Sequence, residues 1–316
     1  MAVAGVQVAR FEPRRGAAWD EFVRRSRNGH FMLERGYLDY HAHRFQDESL
    51  LFLRGERLLA LLPAHRRGEA LISHDGLPFA GLAVGPRTLH RDVKDVFEAL
   101  RGHLGENGLS RLLYTPTPHF YHATPFEDDL HLLHRMGARC TAMKLSAGFP
   151  GPVPDCLSAQ TAHHLRRAGR KHPCVFRECA DVAAFWAHLE EFLQERHGAK
   201  PVHSAEEMTL LRSRFPDRIR MVVAESRGDV VAGLLLYLTD RALRVQYSFR
   251  RGDQPPRLLA RLCLHAASHP EYRRSWADFG TSVDPRTGET DERLLVSKEN
   301  MGARGVVVQT WTWEPR

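Results

Sequence analysis

The chain has 316 residues, of which 43% are apolar and 26% charged, and it carries a formal net charge of +7 with a pI near 9.4. These values fit a folded globular protein of about two domains of ~150 residues each and argue against a disordered or fibrous chain. No run approaches the ~20 consecutive apolar residues of a membrane helix, and Cys140, Cys156, Cys174, Cys179 and Cys263 show no paired spacing, which argues against a disulfide framework and for a reducing, cytoplasmic setting.

In chain order, Trp19, Phe22 and Val23 at i, i+3, i+4 predict a helix over 19–25. Leu50–Leu53 and Leu58–Pro63 flank a charged, Gly-containing turn and read as a hairpin. Val93–Leu104 reads as a helix stopped by Gly105 and Asn107-Gly108, Leu112–Thr115 as a strand, and Leu130–Met136 as a helix closed at Gly137. Pro150–Pro154 is the linker candidate, which predicts domains over 1–150 and 151–316. Helices are predicted over 161–171, 183–197 and 206–215, followed by a meander of strands at 221–224, 230–238 and 243–249. A loop over 250–257, a helix from Leu258, a strand at 275–279, a helix at 291–300 and a strand at 306–313 complete the chain.

A meander followed by a helix and a further strand is the core order of the GNAT acyltransferase fold. Residue strings extend the resemblance: NGHFMLERGYLDYHAHRF over 28–45, Leu61–Ala64 with Ser73–Leu77, Lys200–Ser204, and Asp278-Phe279-Gly280 with Lys298–Arg304. In this order they resemble GNAT-superfamily proteins of the FemAB-like, two-domain kind. The resemblance implies an α/β (α+β) fold of two GNAT-like domains, each a mixed, mostly antiparallel sheet flanked by helices. It implies acyl-CoA as donor and a nucleotide-linked amino sugar as acceptor, with no metal and no membrane partner. It leaves open a homodimer. An aminoacyl-tRNA-dependent transferase of the FemAB type, with tRNA as donor, is the alternative. A third reading is a non-catalytic binding protein with a degenerate cofactor loop.

In the GNAT fold the helix after the fourth strand points its N-terminus at the donor's pyrophosphate, where unpaired N–H groups and the helix dipole favour an anion. Here Gln246, Ser248, Arg250, Arg251, Gly252 and Arg257 are the donor-binding candidates. Alternation along the strand places Gln246 and Ser248 on one face and Tyr247 on the other. Two prolines, Pro255 and Pro256, stand where N–H donors are expected and remove them. Acyl transfer to an amine needs a route for the amine's proton and donors for the oxyanion. His203 is the first candidate base, just before a helix that Ser204 and Glu207 are spaced to cap. Asp278, at a strand end beside Gly280, and His74 are the other catalytic candidates. Asp75, Tyr121, Lys200, Tyr247 and Lys298 are the acceptor-binding candidates; Lys298 matches a phosphate-contacting lysine of FemAB-type proteins. Nineteen histidines invite a metal, but none has zinc-site spacing. No cysteine or serine sits in a nucleophile motif, so direct transfer without an acyl-enzyme is expected.

Overall fold

A computed structural model describes residues 5–151, 157–252, 254–284 and 287–315. The chain folds as two compact units, 1–143 with 307–316, and 144–306. Of the expected linker Pro150–Pro154, Pro150 ends a strand and Gly151 follows it, while 152–154, like Asp253 of the predicted donor loop, lie outside the described residues. The sequence-based boundary at 150 falls at the end of a strand, and the last ten residues belong with the first unit.

In the first unit, β1 (Gln7–Arg10), α1 (Gly16–Arg25) and the short α2 (Arg35–Leu38) precede β2 (Gln46–Asp47), β3 (Leu50–Arg54), β4 (Arg57–Leu62), β5 (His65–Arg67), β6 (Ala70–Ile72) and β7 (Ala83–Val84). Then come α3 (His90–Glu106), β8 (Arg111–Tyr114), α4 (Asp128–Arg135) and the start of β9 (Arg139–Pro150). β3 and β4 form the expected hairpin, turning at Gly55 with φ +59. One sheet runs β1-β3-β4-β7, and β2-β5-β6-β8 forms another that the end of β15 (Arg304–Trp313) extends by pairing with β8. α3 lays Val93, Val96, Phe97, Leu100 and Leu104 on the core, at the i, i+3, i+4, i+7 spacing of one helix face.

In the second unit, α5 (Ala159–Lys171), β10 (Val175–Glu178), α6 (Val182–His197) and α7 (Ala205–Arg214) lead into β11 (Ile219–Ser226), β12 (Asp229–Leu238) and β13 (Ala242–Arg250). α8 (Pro256–Ser268), β14 (Trp276–Thr281), α9 (Glu292–Glu299) and the start of β15 follow. Arg227 and Gly228, both with positive φ, join β11 to β12 in a two-residue turn whose twist suits a hairpin. The sheet order is β10-β11-β12-β13-β14-β9, antiparallel throughout except for β13 and β14. α8 buries Leu258, Leu262, Cys263 and Ala266 on one face of this sheet, against Leu234, Leu236 and Leu243. α6 covers the other face, with Phe185 edge-on to Phe249 and Trp186 edge-on to Tyr247. The architecture is that of two GNAT-like domains, each with a mostly antiparallel sheet and flanking helices.

Candidate active site at the fork of two strands

β13 and β14 run parallel for three register positions only: Ala242↔Trp276, Leu243↔Ala277 and Arg244↔Asp278. Beyond these, β13 continues to Arg250 along β12 and β14 to Thr281 along β9, without further pairing to each other. The strands therefore part at Arg244 and Asp278. Just past the fork β13 bulges. Leu236 pairs with Val245 and Leu235 with Tyr247, which leaves Gln246 as the extra residue. A bulge leaves one residue out of the ladder and turns the strand.

The bulge also corrects the expected facing of side chains. Leu234 and Leu236, partners of Ser248 and Val245, lie in the core under α8, whereas Tyr247 and Phe249 pack on α6. Gln246 accepts from Arg244, whose partner Tyr237 lies on the same side of β12 as Leu235, the partner of Tyr247, so Gln246 sits with Tyr247 and not with Ser248. Simple alternation fails here because two residues of β13 oppose one of β12.

A polar chain crosses the fork. Ser146 Oγ donates to Asp278 Oδ1 at 3.1 Å, as does the Gly280 N–H at 2.8 Å. Arg244 Nη1 donates to Asp278 Oδ2 at 2.6 Å, and its Nε donates to Gln246 Oε1 at 3.1 Å. Tyr247 Oη lies 2.7 Å from His203 Nδ1. Burial raises the Tyr247 phenol above its ordinary value, against the backbone hydrogen bonds it accepts, so it stays protonated. A protonated phenol donates to Nδ1, which assigns the ring proton of neutral His203 to Nε2 by the hydrogen-bond network. His203 is itself buried and held by its carbonyl, which accepts from Trp186 Nε1 at 3.2 Å. The helix start after it is the predicted capping box: Ser204 Oγ accepts from Glu207 N at 3.1 Å, and Glu207 Oε2 from Ser204 N at 2.9 Å.

Lys298 is buried, unlike an ordinary helix lysine. Its ammonium donates to Gly280 O at 2.8 Å, Thr281 O at 3.0 Å and Ser282 Oγ at 3.0 Å. These use all three of its donors. Burial lowers its pKa to about 8, against the pull of Asp278. It thus holds the end of β14 in place, and a phosphate would have to displace one of these bonds.

The remaining candidates lie apart from this chain of polar groups. Arg250, Arg251 and Gly252 line a cavity of about 340 Å³ whose other wall carries Glu191, Glu195 and Asp229. Those carboxylates disfavour a pyrophosphate. At the start of α8, Pro256 has no N–H and the Leu258 N–H returns to Pro255 O at 2.9 Å, so backbone donors for an anion are few. Arg257 is exposed beside them and Lys200 is exposed in the loop before α7. His74, Asp75 and Tyr121 belong to the first unit. His74 is buried with φ +47 among the rings of His41, Phe45 and His65, and burial pushes its pKa down to about 3, too low for an effective base near neutrality. Asp75 pairs with Arg67 at 2.9 Å, and Tyr121 is a core residue packed on Phe79 and Phe120. Sequence reasoning missed Arg244 and Ser146. A charged residue inside the otherwise apolar start of β13 was the available signal for Arg244. Among the described residues no group of three or more His, Cys, Asp or Glu side chains is placed to hold a metal ion, and no helix is long and apolar enough to cross a membrane.

A scan against known protein families finds no match, and no curated protein matches the sequence. Solved structures do. FemX superposes with a TM-score of 0.68 at 9% identity, over 98% of this chain and 97% of its own. The C-terminal domain of a candidate lysylphosphatidylglycerol synthetase from Agrobacterium fabrum gives 0.59 at 12% identity, over 95% and 91%. A tandem GNAT protein from the clavulanic acid biosynthesis pathway gives 0.51 at 12% identity, over 98% and 99%. The class defined by the architecture is therefore the GNAT/FemAB-like fold.

Proposed function

We propose that the chain is an N-acyltransferase that binds an activated acyl carrier where β13 and β14 part and passes the acyl group directly to a primary amine. The carrying observation is the fork at Arg244 and Asp278 with a bulge at Gln246 immediately beyond it. A bulge takes a residue's backbone groups out of the ladder, which supplies a donor for the developing oxyanion. The amine nitrogen attacks the carbonyl carbon. Its proton passes to Tyr247 Oη as the phenol's own proton moves to His203 Nδ1, which makes His203 the base through Tyr247. The bond from carbon to the carrier then breaks and the carrier leaves as an anion, later taking the proton that His203 holds. Arg244 and Asp278 keep the fork open at a fixed point.

In the first reading the carrier is acyl-CoA and the acceptor a nucleotide-linked amino sugar. The second reading, an aminoacyl-tRNA donor, is favoured by Pro255 and Pro256 at the start of α8 and by the carboxylates facing Arg250 and Arg251, both poor for a CoA pyrophosphate. The fold likeness to FemX and to a lysylphosphatidylglycerol synthetase domain is compatible with it. The test is a transfer assay with labelled acyl-CoA or labelled aminoacyl-tRNA, each against a panel of amines including nucleotide-linked amino sugars. Thermal shift runs alongside, since a ligand of the folded state raises the melting point. Product from CoA thioesters supports the first reading, and product from charged tRNA alone supports the second. No transfer from either donor refutes both.

A further inference from the structure

We propose that the groove between α3 and α4 in the first unit is a binding site for a small ligand bearing clustered phosphate groups. The groove encloses about 850 Å³, within the range of small-molecule sites, ~300–1,000 Å³. Every residue lining it belongs to the first unit, so it is separate from the fork in the second and rests on no part of the acyl-transfer reading.

Its walls are cationic by construction. His90, Lys94, Glu98 and Arg101 recur along α3 at the i, i+4, i+8, i+11 spacing that puts them on one face, and His131 with Arg135 does the same on α4. Arg139 adds a further guanidinium. Two of the four permanent cations already have carboxylate partners: Arg101 pairs with Glu98 at 2.8 Å and Arg139 with Glu314 at 3.9 Å. His90 faces Asp128 at 2.8 Å. Lys94, from one wall, and Arg135, from the other, have no carboxylate partner among the described residues. Two unmatched cations converging on one concave site call for a ligand of at least two negative charges. An arginine fork suits phosphate oxygens, with the lysine as a point charge beside it. Leu132 and Trp313 are buried beneath the groove and Met136 is partly buried beside them, so its base is held by the core while its walls are charged. Concavity favours a compact ligand over a flat anionic surface.

The probes are tripolyphosphate, ATP and UDP, titrated calorimetrically into the full chain at low ionic strength. The expected result is saturable one-site binding, weakened about tenfold or more by Lys94→Glu with Arg135→Glu. Both side chains are exposed, so the variant folds, and an unchanged melting curve verifies this. Tighter binding of a nucleotide than of tripolyphosphate would assign a nucleotide, and equal binding a bare polyphosphate; either supports the site. Absence of saturable binding, or binding that the double variant leaves unchanged, overturns it.

Discussion

Arg244 and Asp278 face each other at the last paired position of β13 and β14, 2.6 Å apart, with Asp278 1% and Arg244 13% exposed at the side chain. The pair is desolvated, so each charge depends on the other. Arg244→Ala leaves a buried carboxylate without its guanidinium partner, and is expected to cost about 3–5 kcal/mol. Arg244→Met with Asp278→Leu removes both charges and is expected to recover much of that loss. Urea unfolding of the single and double variants measures this; a single variant as stable as the parent would contradict it.

Tyr247 and His203 act as one unit in the proposed proton route. Tyr247→Phe and His203→Ala are each expected to lower turnover by about 10²-fold or more. The double variant is expected to be no slower than the worse single one, because both substitutions cut the same path. Multiplicative losses, or an unchanged rate for either single variant, would remove the relay.

The first unit is expected to lose stability in acid. Burial lowers His74 to about 3 and His122 to about 4. Both values lie below the ordinary ~6.5 of the unfolded chain, so the unfolded state takes up protons first as pH falls. Their contribution is complete above pH ~6.5 and declines below it by about 1.4 kcal/mol per pH unit per group. Asp129, raised to about 6 mainly by burial, works the other way. Its folded form binds a proton first, so between pH ~6 and ~4 it offsets one histidine. For these three groups together the fall is steepest from pH ~6.5 to ~6, persists at the slope of one histidine to about 4, and continues through His74 to about 3; burial lowers His65 and His103 as well, which adds in the same direction. His74→Asn suits the positive φ and is expected to flatten the slope between about 4 and 3. Melting temperatures across this range test the sign.

Cys263 is buried, and burial pushes its thiol up to about 12, so thiolate is scarce at neutral pH. No acyl-enzyme is expected to accumulate there, and Cys263→Ala is expected to leave transfer within about twofold. Iodoacetamide at neutral pH is expected to label the exposed Cys140 in the native chain and to spare Cys263. An acyl group trapped on Cys263 would contradict direct transfer.

Elements with a local signature were legible in the sequence. The helix faces of α3 and α6, the β3–β4 hairpin and the Ser204–Glu207 box all announce themselves through spacing and turn chemistry. β9 did not: its first half is exposed, it mixes Lys144, Ser146 and Gly148 with apolar residues, and its partner β14 lies far along the chain, with 132 positions between Ser146 and Asp278. β5 and β6 are three residues each, too short for a period to show. At the site, His203 and Asp278 were singled out in the sequence as polar residues at a helix start and a strand end, and Gln246 and Tyr247 through the GNAT resemblance; the fold brings these four near one another. The facing of Gln246 was not readable, because a bulge is a count across two strands and has no signal in one. Lys298 was legible as a residue but not in its role, since only the fold brings three oxygens around its ammonium.

β15 begins in one unit and ends in the other, where Trp311, Thr312 and Trp313 pair with Tyr114, Leu113 and Leu112. During synthesis the first unit must therefore wait. Its sheet lacks a strand, and Phe97 lacks the ring of Trp313 against it, until roughly 200 further residues have left the ribosome. The second unit is one continuous stretch, whereas the first is assembled from both ends of the chain, with the last strand acting as its closing stitch.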